Sequence, residues 1–311
     1  MQCRTIVGLQ AGLLICLIAM PRLAEAAELK PEAVQSFDRY VHLTEQRMQA
    51  ELQPGGVFLY VDRLPEARRS EEYARLQRGE VVSGGLETRD AEGRVHTPGA
   101  LIHHWVGTVF IPGASLQQVL TLLQDYDHHS VYYSPDVATS KTLEHTGNDF
   151  KVYFRLIRKK IVTVVLDTEY DVHYERLDAT RAQSRSYSTR VAEIEHPGDA
   201  HEIQLTPGDD HGFLWRLDSF WRFSETKDGV YVQCEAISLT RDIPTGLNWL
   251  IAPFIESIPR ESLEFTLRST RDGVLHRIPS VSQQSESISV LAGSPSNLRV
   301  NKSSPRPKRG D

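Results

Sequence analysis

The sequence predicts an α+β fold in which an antiparallel sheet is covered by a long C-terminal helix, with a helical N-terminal extension in front. Three observations predict it. The stretches 150–157, 161–174, 181–194, 212–224 and 229–241 alternate apolar and polar residues with Gly, Asp and Asn between them, the period and punctuation of antiparallel strands. Residues 244–271 then put Leu247, Leu250, Ile251, Phe254, Ile255 and Ile258 on one face of a helix, with Pro253 and Pro259 placed to kink or split it. Upstream of Ala100 there are two helical segments and a run of Gly/Pro turns instead, so the chain changes character there.

The chain has 311 residues, 40% of them apolar and 24% charged, which is globular composition and excludes a fibrous, disordered or polytopic membrane protein. A net charge of −6 supplies no basic field for nucleic acid. Residues 1–26 read as a secretory signal peptide. Arg4 is followed by an apolar run from Ile6 to Met20, and Ala24-Glu25-Ala26 offers the small-x-small cleavage pattern. The run is shorter than the roughly 20 residues a spanning helix needs, so an uncleaved anchor is the lesser reading. Cleavage after Ala26 removes Arg4, Arg22 and Glu25, shifting the charge from −6 to −7, and removes Cys3 and Cys16. Cys234 is then the single cysteine, no internal disulfide forms, and the expected compartment is a periplasm.

Along the mature chain, residues 27–98 form the extension, 99–278 the main domain and 279–311 a Ser/Pro/basic tail without apolar period, expected to be disordered. A helix over 31–52 ends at Pro54-Gly55-Gly56, residues 57–61 read as a short strand, and a charged helix over 65–77 begins with Pro65 in its first turn. Residues 78–99 read as turns with short strands. A strand over 100–110 stops at Pro112-Gly113, and Ser115 caps a helix whose apolar face is Leu116, Val119, Leu120, Leu123 and Tyr126.

A hairpin closed through Thr226-Lys227-Asp228-Gly229 pairs Phe223 with Val232, Trp221 with Cys234, Ser219 with Ala236, Leu217 with Ser238 and Trp215 with Thr240. That face sets aromatic rings opposite small residues, and Gly107 on the first strand belongs with it. The other face pairs Arg222 with Gln233 and Phe220 with Glu235, puts Arg222 diagonal to Glu235, and reads as facing water. The C-terminal helix is the cover for the apolar face. Small residues there leave room for a cavity; a solid core of large and small side chains is the alternative.

Three stretches carry a family resemblance. Residues 111–127, ending Asp125-Tyr126-Asp127, resemble the first helical segment of the START/polyketide-cyclase (SRPBCC) superfamily. Residues 215–223 with 229–244 are similar to its last hairpin, and residues 247–267 to its gripping helix. The likeness covers roughly residues 99 to 273. It implies the helix-grip fold, a curved sheet gripping the C-terminal helix, with a cavity between the two and a carrier or sensor of sterols, phospholipids, quinones or other hydrophobic molecules; a minority of that family are cyclases or hydrolases. The expected cargo here is a lipid, isoprenoid or aromatic compound.

The expected ligand contacts are Trp105, Trp215, Trp221, Ser219, Cys234, Ala236 and Ser238 from the sheet, and Trp249 and Phe254 from the helix. His104, His211 and Arg216 are the candidate polar groups of the cavity. A cyclase would use a cavity His or carboxylate such as His104 or His211; no base–orienter pair is legible, so no catalytic residue is assigned. Gly-x-Ser-x-Gly, Gly-x-Gly-x-x-Gly and Walker sequences are absent, which leaves no cofactor to assign. His103-His104 and Asp125, Asp127, His128 and His129 lack metal-ligand spacing, because neighbours on a strand point to opposite faces. Asp125 and Asp127 therefore read as turn-stabilising groups, and Cys234 as an inert buried thiol. Arg216, Arg222 and Arg241 are candidates for an anionic head group, with Asp218, Glu235 and Asp242 as their structural partners. The expected partner is a hydrophobic small molecule, with transient membrane contact, and not nucleic acid. A non-catalytic interaction module with a solid core is the remaining reading.

Overall fold

The computed structural model describes residues 28–160, 162–242 and 248–277, and the side chains of the last segment from Ser257 onward. The expected signal peptide and tail, and the side chains of Trp249 and Phe254, lie outside the described residues. Among those described, no helix is long and apolar enough to cross a membrane.

The extension contains α1 (Pro31–Glu51), a 3-10 turn (Tyr60–Arg63), α2 (Glu66–Gln77), β1 (Val82–Gly85) and a ribbon pairing Arg89–Asp90 with Gly93–Arg94. The main domain follows with β2 (Ala100–Pro112), α3 (Leu116–Leu123), α4 (His129–Tyr132), β3 (Val137–Thr146), β4 (Asp149–Lys159), β5 (Thr163–Arg176), β6 (Arg181–Glu195), β7 (Ile203–Leu205), β8 (Arg216–Thr226), β9 (Gly229–Arg241) and α5 (Asn248–Arg277). The strands form one antiparallel sheet in the order β1-β2-β9-β8-β6-β5-β4-β3, with β7 beside the end of β6.

Most local expectations hold. The Ser115 side chain and Gln118 form a reciprocal capping box at the start of α3. The β8–β9 hairpin has the expected register from Phe223↔Val232 to Leu217↔Ser238. α5 is continuous through Pro253 and Pro259 rather than split. Residues 57–61, β3 and the short β7 differ from the sequence reading. Residues 57–61 form no strand. Leu59 and Val61 sink into a core with Leu76, Val82 and Phe110, and the Tyr60 amide donates to Gln233 Oε1 at 2.6 Å instead of joining a ladder. β3 was not legible because it is an edge strand exposed along most of its length, so it carries no apolar alternation.

The larger correction concerns the polar face. It does not meet water: Arg222, Gln233 and Glu235 are 3%, 1% and 2% exposed. α1 lies over it, and Phe37, Tyr40 and Val41 pack in one cluster with Trp215, Phe220, Ile237 and Leu239. The sheet is covered on both faces, by the extension on one and by α5 on the other. In the sequence the polar residues of this face are indistinguishable from solvated ones, because their partners lie on a helix some 180 positions upstream.

Candidate functional site

Alternation along β2, β9, β8 and β6 decides which side chains look toward α5. The paired rows across the sheet are Gly107–Cys234–Trp221–Ser184, Trp105–Ala236–Ser219–Ser186 and His103–Ser238–Leu217. The face is identified by contact. A Cβ added at Gly107 would lie 2.6 Å from Leu267 Cδ1 and 3.4 Å from Leu263, so only a glycine lets α5 come this close. Leu263, Leu267, Thr270 and Val274 are buried along the same stripe of α5. Cys234 is sealed there, and burial pushes its thiol well above the ordinary range, which makes it the inert group expected.

One end of this space is closed by aromatic residues. The Tyr133 hydroxyl meets Thr270 Oγ1 at 2.9 Å, and those of Tyr126 and Tyr174 meet each other at 2.8 Å. His129 stacks on Phe154 and donates through Nε2 to the Leu123 carbonyl at 3.1 Å. Burial raises the phenol pKa of Tyr126, Tyr133, Tyr170 and Tyr174, so all four stay neutral.

Away from the Gly107–Cys234 contact the covering is looser. Trp105, Leu217, Ser219, Trp221 and Ala236 remain half-buried although β8 and β9 are central strands. A central strand beneath a tightly packed helix loses all its surface, so these are the residues of this face left with surface for a ligand to cover. Arg260 of α5 sits 5.9 Å over the Trp105 ring at the margin of that space. Near the turn between β4 and β5, Arg158 pairs with Asp136 at 2.8 Å and donates to Ser262, and Lys160 pairs with Glu261, tying the turn to α5.

Of the expected ligand contacts, the structure brings Trp105, Trp221, Ser219, Cys234, Ala236 and Ser238 together on this face. Trp215 is not among them. It is 2% exposed, donates from Nε1 to Asp210 at 2.9 Å and packs in the cluster under α1. The chain leaves strand geometry before Arg216, so alternation no longer predicts its direction.

His104 also faces α1, not the cavity. His103 takes the helix-facing position, with Nε2 3.0 Å from Thr240 Oγ1. Burial pulls the His103 pKa down to about 4, so it is neutral at physiological pH. The signal for His103 was present: it lies four residues from Gly107, and even spacings share a face. Arg216 belongs to the α1 side as well, 3.2 Å from Asp38 and over the Phe37 ring. The His211 amide donates to Glu193 at 2.6 Å and its carbonyl accepts from Arg241, so it braces the segment before β8.

The expected ion pair of Arg222 with Glu235 does not form either. Arg222 donates to Glu51 at 2.7 Å and to the Phe58 and Met48 carbonyls, while Glu235 takes Arg47 and His104. Burial alone would raise the Glu235 pKa, but His104, Arg47 and Arg63 outweigh it and hold the carboxyl below its usual range. Beside this network a cleft of about 260 Å³ opens between α1 and the sheet, bordered by His42, Met48, Gln183 and Phe220.

Asp125 accepts from Tyr132 at 2.7 Å and meets His128 at 2.6 Å, and Asp127 accepts from the Thr142 amide at 2.7 Å, which are the turn-stabilising roles expected. Among the described residues no group of three or more His, Cys, Asp or Glu side chains is placed to hold a metal.

A long antiparallel sheet seated against a C-terminal helix through a glycine contact is a helix-grip (START-like) α+β fold. No family model matches the sequence, and no curated protein matches it. Similar solved structures include a STAR-related lipid transfer protein from Xanthomonas axonopodis, at 20% identity and TM-score 0.37 over 60% of this chain and 99% of that one. They also include the Zhui aromatase/cyclase from Streptomyces sp. R1128, at 11% identity and TM-score 0.39 over 58% and 98%. Human STARD10 is similar at 10% identity and TM-score 0.39, over 73% and 86%.

Proposed function

We propose that the protein is an exported carrier that holds a hydrophobic small molecule between the sheet and α5 and shields it from water. The observation that carries this reading is the accessible surface left on Trp105, Trp221, Ser219 and Ala236 in the middle of a covered sheet. Each aromatic side chain buried against a ligand contributes about 1.5–3 kcal/mol, so a few rings retain a lipid, isoprenoid or aromatic compound. The chemistry of the face favours binding over catalysis: its histidine, His103, is neutral and bonded to a threonine hydroxyl, with no carboxylate orienting it among the described residues. Entry requires α5 or the adjoining turns to move. Export rests on the Arg4, apolar and Ala24-Glu25-Ala26 pattern, and it makes the periplasm the place of action, with brief membrane contact to collect or deliver cargo.

The test is to purify the full chain, extract it with organic solvent and identify what is released by mass spectrometry, alongside titration with hydrophobic probes read by tryptophan fluorescence. A stoichiometric hydrophobe or a saturable fluorescence change supports the carrier. If nothing is released and no probe is bound, the space is a packing feature and the carrier reading is wrong. For export, fractionation of cells making the full chain is expected to place it outside the cytoplasm, shortened by about the 26 residues of the leader; full-length protein in the cytoplasm contradicts it.

A further inference from the structure

The cleft between α1 and the sheet lies on the opposite face of the strands from α5, and the carrier reading makes no use of it. Its floor is a block of cross-strand neighbours, with Arg222 opposite Gln183 and Phe220 opposite Arg185. These side chains point away from α5, because Ser184 and Trp221 between them take the helix-facing positions. Over the floor α1 contributes the half-buried Met48 and Leu52, and Gln49 is exposed at the rim.

The polar groups of the floor have hydrogen bonds to spare. Arg222 is 3% exposed and gives Nη1 to Glu51 and the Phe58 carbonyl, and Nη2 to the Met48 carbonyl. Among the described residues its Nε–H makes no hydrogen bond, yet it is not among the sealed, unpartnered polar atoms, so it opens to the cleft that the side chain borders. Gln183 is 8% exposed, donates to Glu175 at 2.7 Å and keeps its carbonyl oxygen open in the same way. A buried polar group ordinarily has a partner, and here the open side is the cleft. Arg185 is half-exposed and meets Glu175 only at 3.9 Å, which leaves its guanidinium available as well.

Charge sets the sign of the ligand. Behind the floor the three guanidiniums of Arg47, Arg63 and Arg222 share the two carboxylates of Glu51 and Glu235. Arg63 shows the shortfall, because its Nε–H is sealed without an acceptor. Glu45, the carboxylate that borders the cleft, is engaged by the Tyr187 hydroxyl. A buried network with one cation in excess favours an anion over a neutral molecule or a second cation.

Volume and lining set its body. An apolar cavity of about 150 Å³ holds benzene, so the 260 Å³ of the cleft takes one ring with a short acid arm. The Met48 thioether suits an aromatic edge, and Leu52 and the Phe220 ring complete an apolar wall.

We infer that this cleft binds a small monocyclic aromatic carboxylate, with the carboxylate on Arg222 Nε and the Arg185 guanidinium and the ring against Phe220, Met48 and Leu52. The site is on the reverse face from the cargo space, so it stands independently of the carrier reading.

The experiment titrates the full chain by calorimetry with phenylacetate, phenylacetamide (the same body without the charge), acetate (the charge without the ring) and benzylamine (the opposite charge). Phenylacetate is expected to bind at least about tenfold tighter than phenylacetamide, the scale of one hydrogen bond to a charged group. Acetate and benzylamine are expected not to saturate where phenylacetate does. Arg185→Gln leaves the buried network intact and is expected to bring acid and amide within about threefold by weakening the acid alone. Arg222→Gln is expected to have the same effect, and Arg185→Gln carries the test if that variant does not fold. Ala236→Leu fills the face toward α5 and is expected to leave phenylacetate affinity within about twofold, as for an independent site. Equal affinity for acid and amide, a preference that survives Arg185→Gln, or no saturable binding of phenylacetate overturns the inference. Weakening by Ala236→Leu in place of Arg185→Gln also overturns it, because the acid then lies beneath α5.

Discussion

The His104 imidazole is 2.7 Å from Glu235 Oε1 through Nε2 and 2.9 Å from the Tyr40 hydroxyl through Nδ1. Tyr40 in turn accepts from the Thr88 amide at 2.7 Å, so its own proton goes to Nδ1 and His104 donates from Nε2 to Glu235. Both imidazole nitrogens are therefore committed, in a site 2% exposed on both side chains. The pair works as a bolt between the extension and the sheet, with Arg47 of α1 closing on the same carboxylate.

Removing one member of this network strands the others without water. Glu235→Ala is expected to cost about 3–5 kcal/mol, because it takes away the acceptor of the buried His104 Nε2 and leaves Arg47 with Glu51 alone. Tyr40→Phe is expected to cost about 1–3 kcal/mol, the scale of the two neutral hydrogen bonds its hydroxyl makes, with His104 and with the Thr88 amide. Urea denaturation measures both. Hydrophobe binding by the folded Tyr40→Phe protein is expected to be unchanged, since the network lies on the opposite side of the sheet from the cavity.

The contact of Gly107 with Leu267 sets how closely α5 seats. Gly107→Ala puts a methyl 2.6 Å from Leu267 Cδ1 and is expected to destabilise by about 1–3 kcal/mol through overpacking. Leu267→Ala is expected to cost about 2–5 kcal/mol through the cavity it leaves. The double variant is expected to lose less than the total of the two, because the new methyl enters the vacated space. A double-mutant cycle measures the coupling, and strict additivity would contradict the contact.

Asp218 gives a pH signature. Burial pushes its pKa up to about 6, against which Ser188 donates through its amide at 3.0 Å and its hydroxyl at 3.2 Å. A carboxyl whose folded pKa is raised contributes stability that is complete below its unfolded value near 4 and is lost as pH rises through about 6. Asp218→Asn keeps an acceptor for Ser188 and removes the titration. The variant is therefore expected to be more stable than the parent at pH 7–8, by up to about 3 kcal/mol, with the gain shrinking as pH falls and gone near pH 4. His103 titrates in both proteins, so its effect cancels in the difference.

Cys234 is expected to resist maleimide in the native protein and to react fully in denaturant, because the thiol is 3% exposed and burial disfavours the thiolate. Rapid native labelling would show that α5 lifts from the Cys234 row far more often than the packing of Leu263 and Leu267 implies.

The extension is expected to be required for a soluble fold. Without residues 28–98 the sheet presents Phe220, Ile237 and Leu239 together with Arg222, which has lost its partners, and Glu235, which is left with His104 alone. A fragment beginning at residue 99 is expected to aggregate or to bind hydrophobic dye, whereas the full chain gives a cooperative thermal transition. A monomeric, cooperatively folding fragment would contradict this.

The amino-acid sequence by itself determined most of the long strands, the capped α3, the β8–β9 register and the grouping of Trp221, Ser219, Cys234, Ala236 and Ser238 on one face. These follow from period two, turn chemistry and capping, which act over a few residues. Only the tertiary structure decided what covers each face. Alternation separates two faces without saying which is wet, and a buried Arg222 or Glu235 reads in sequence like an exposed one. Their partners, Glu51 and Arg47, arrive through a long-range packing of α1 that leaves no local periodicity. The same limit misplaced Trp215, where the strand ends, and put His104 in a cavity that belongs to His103. Local physics wrote the surfaces, and contacts distant in sequence chose which became a bolt and which a pocket.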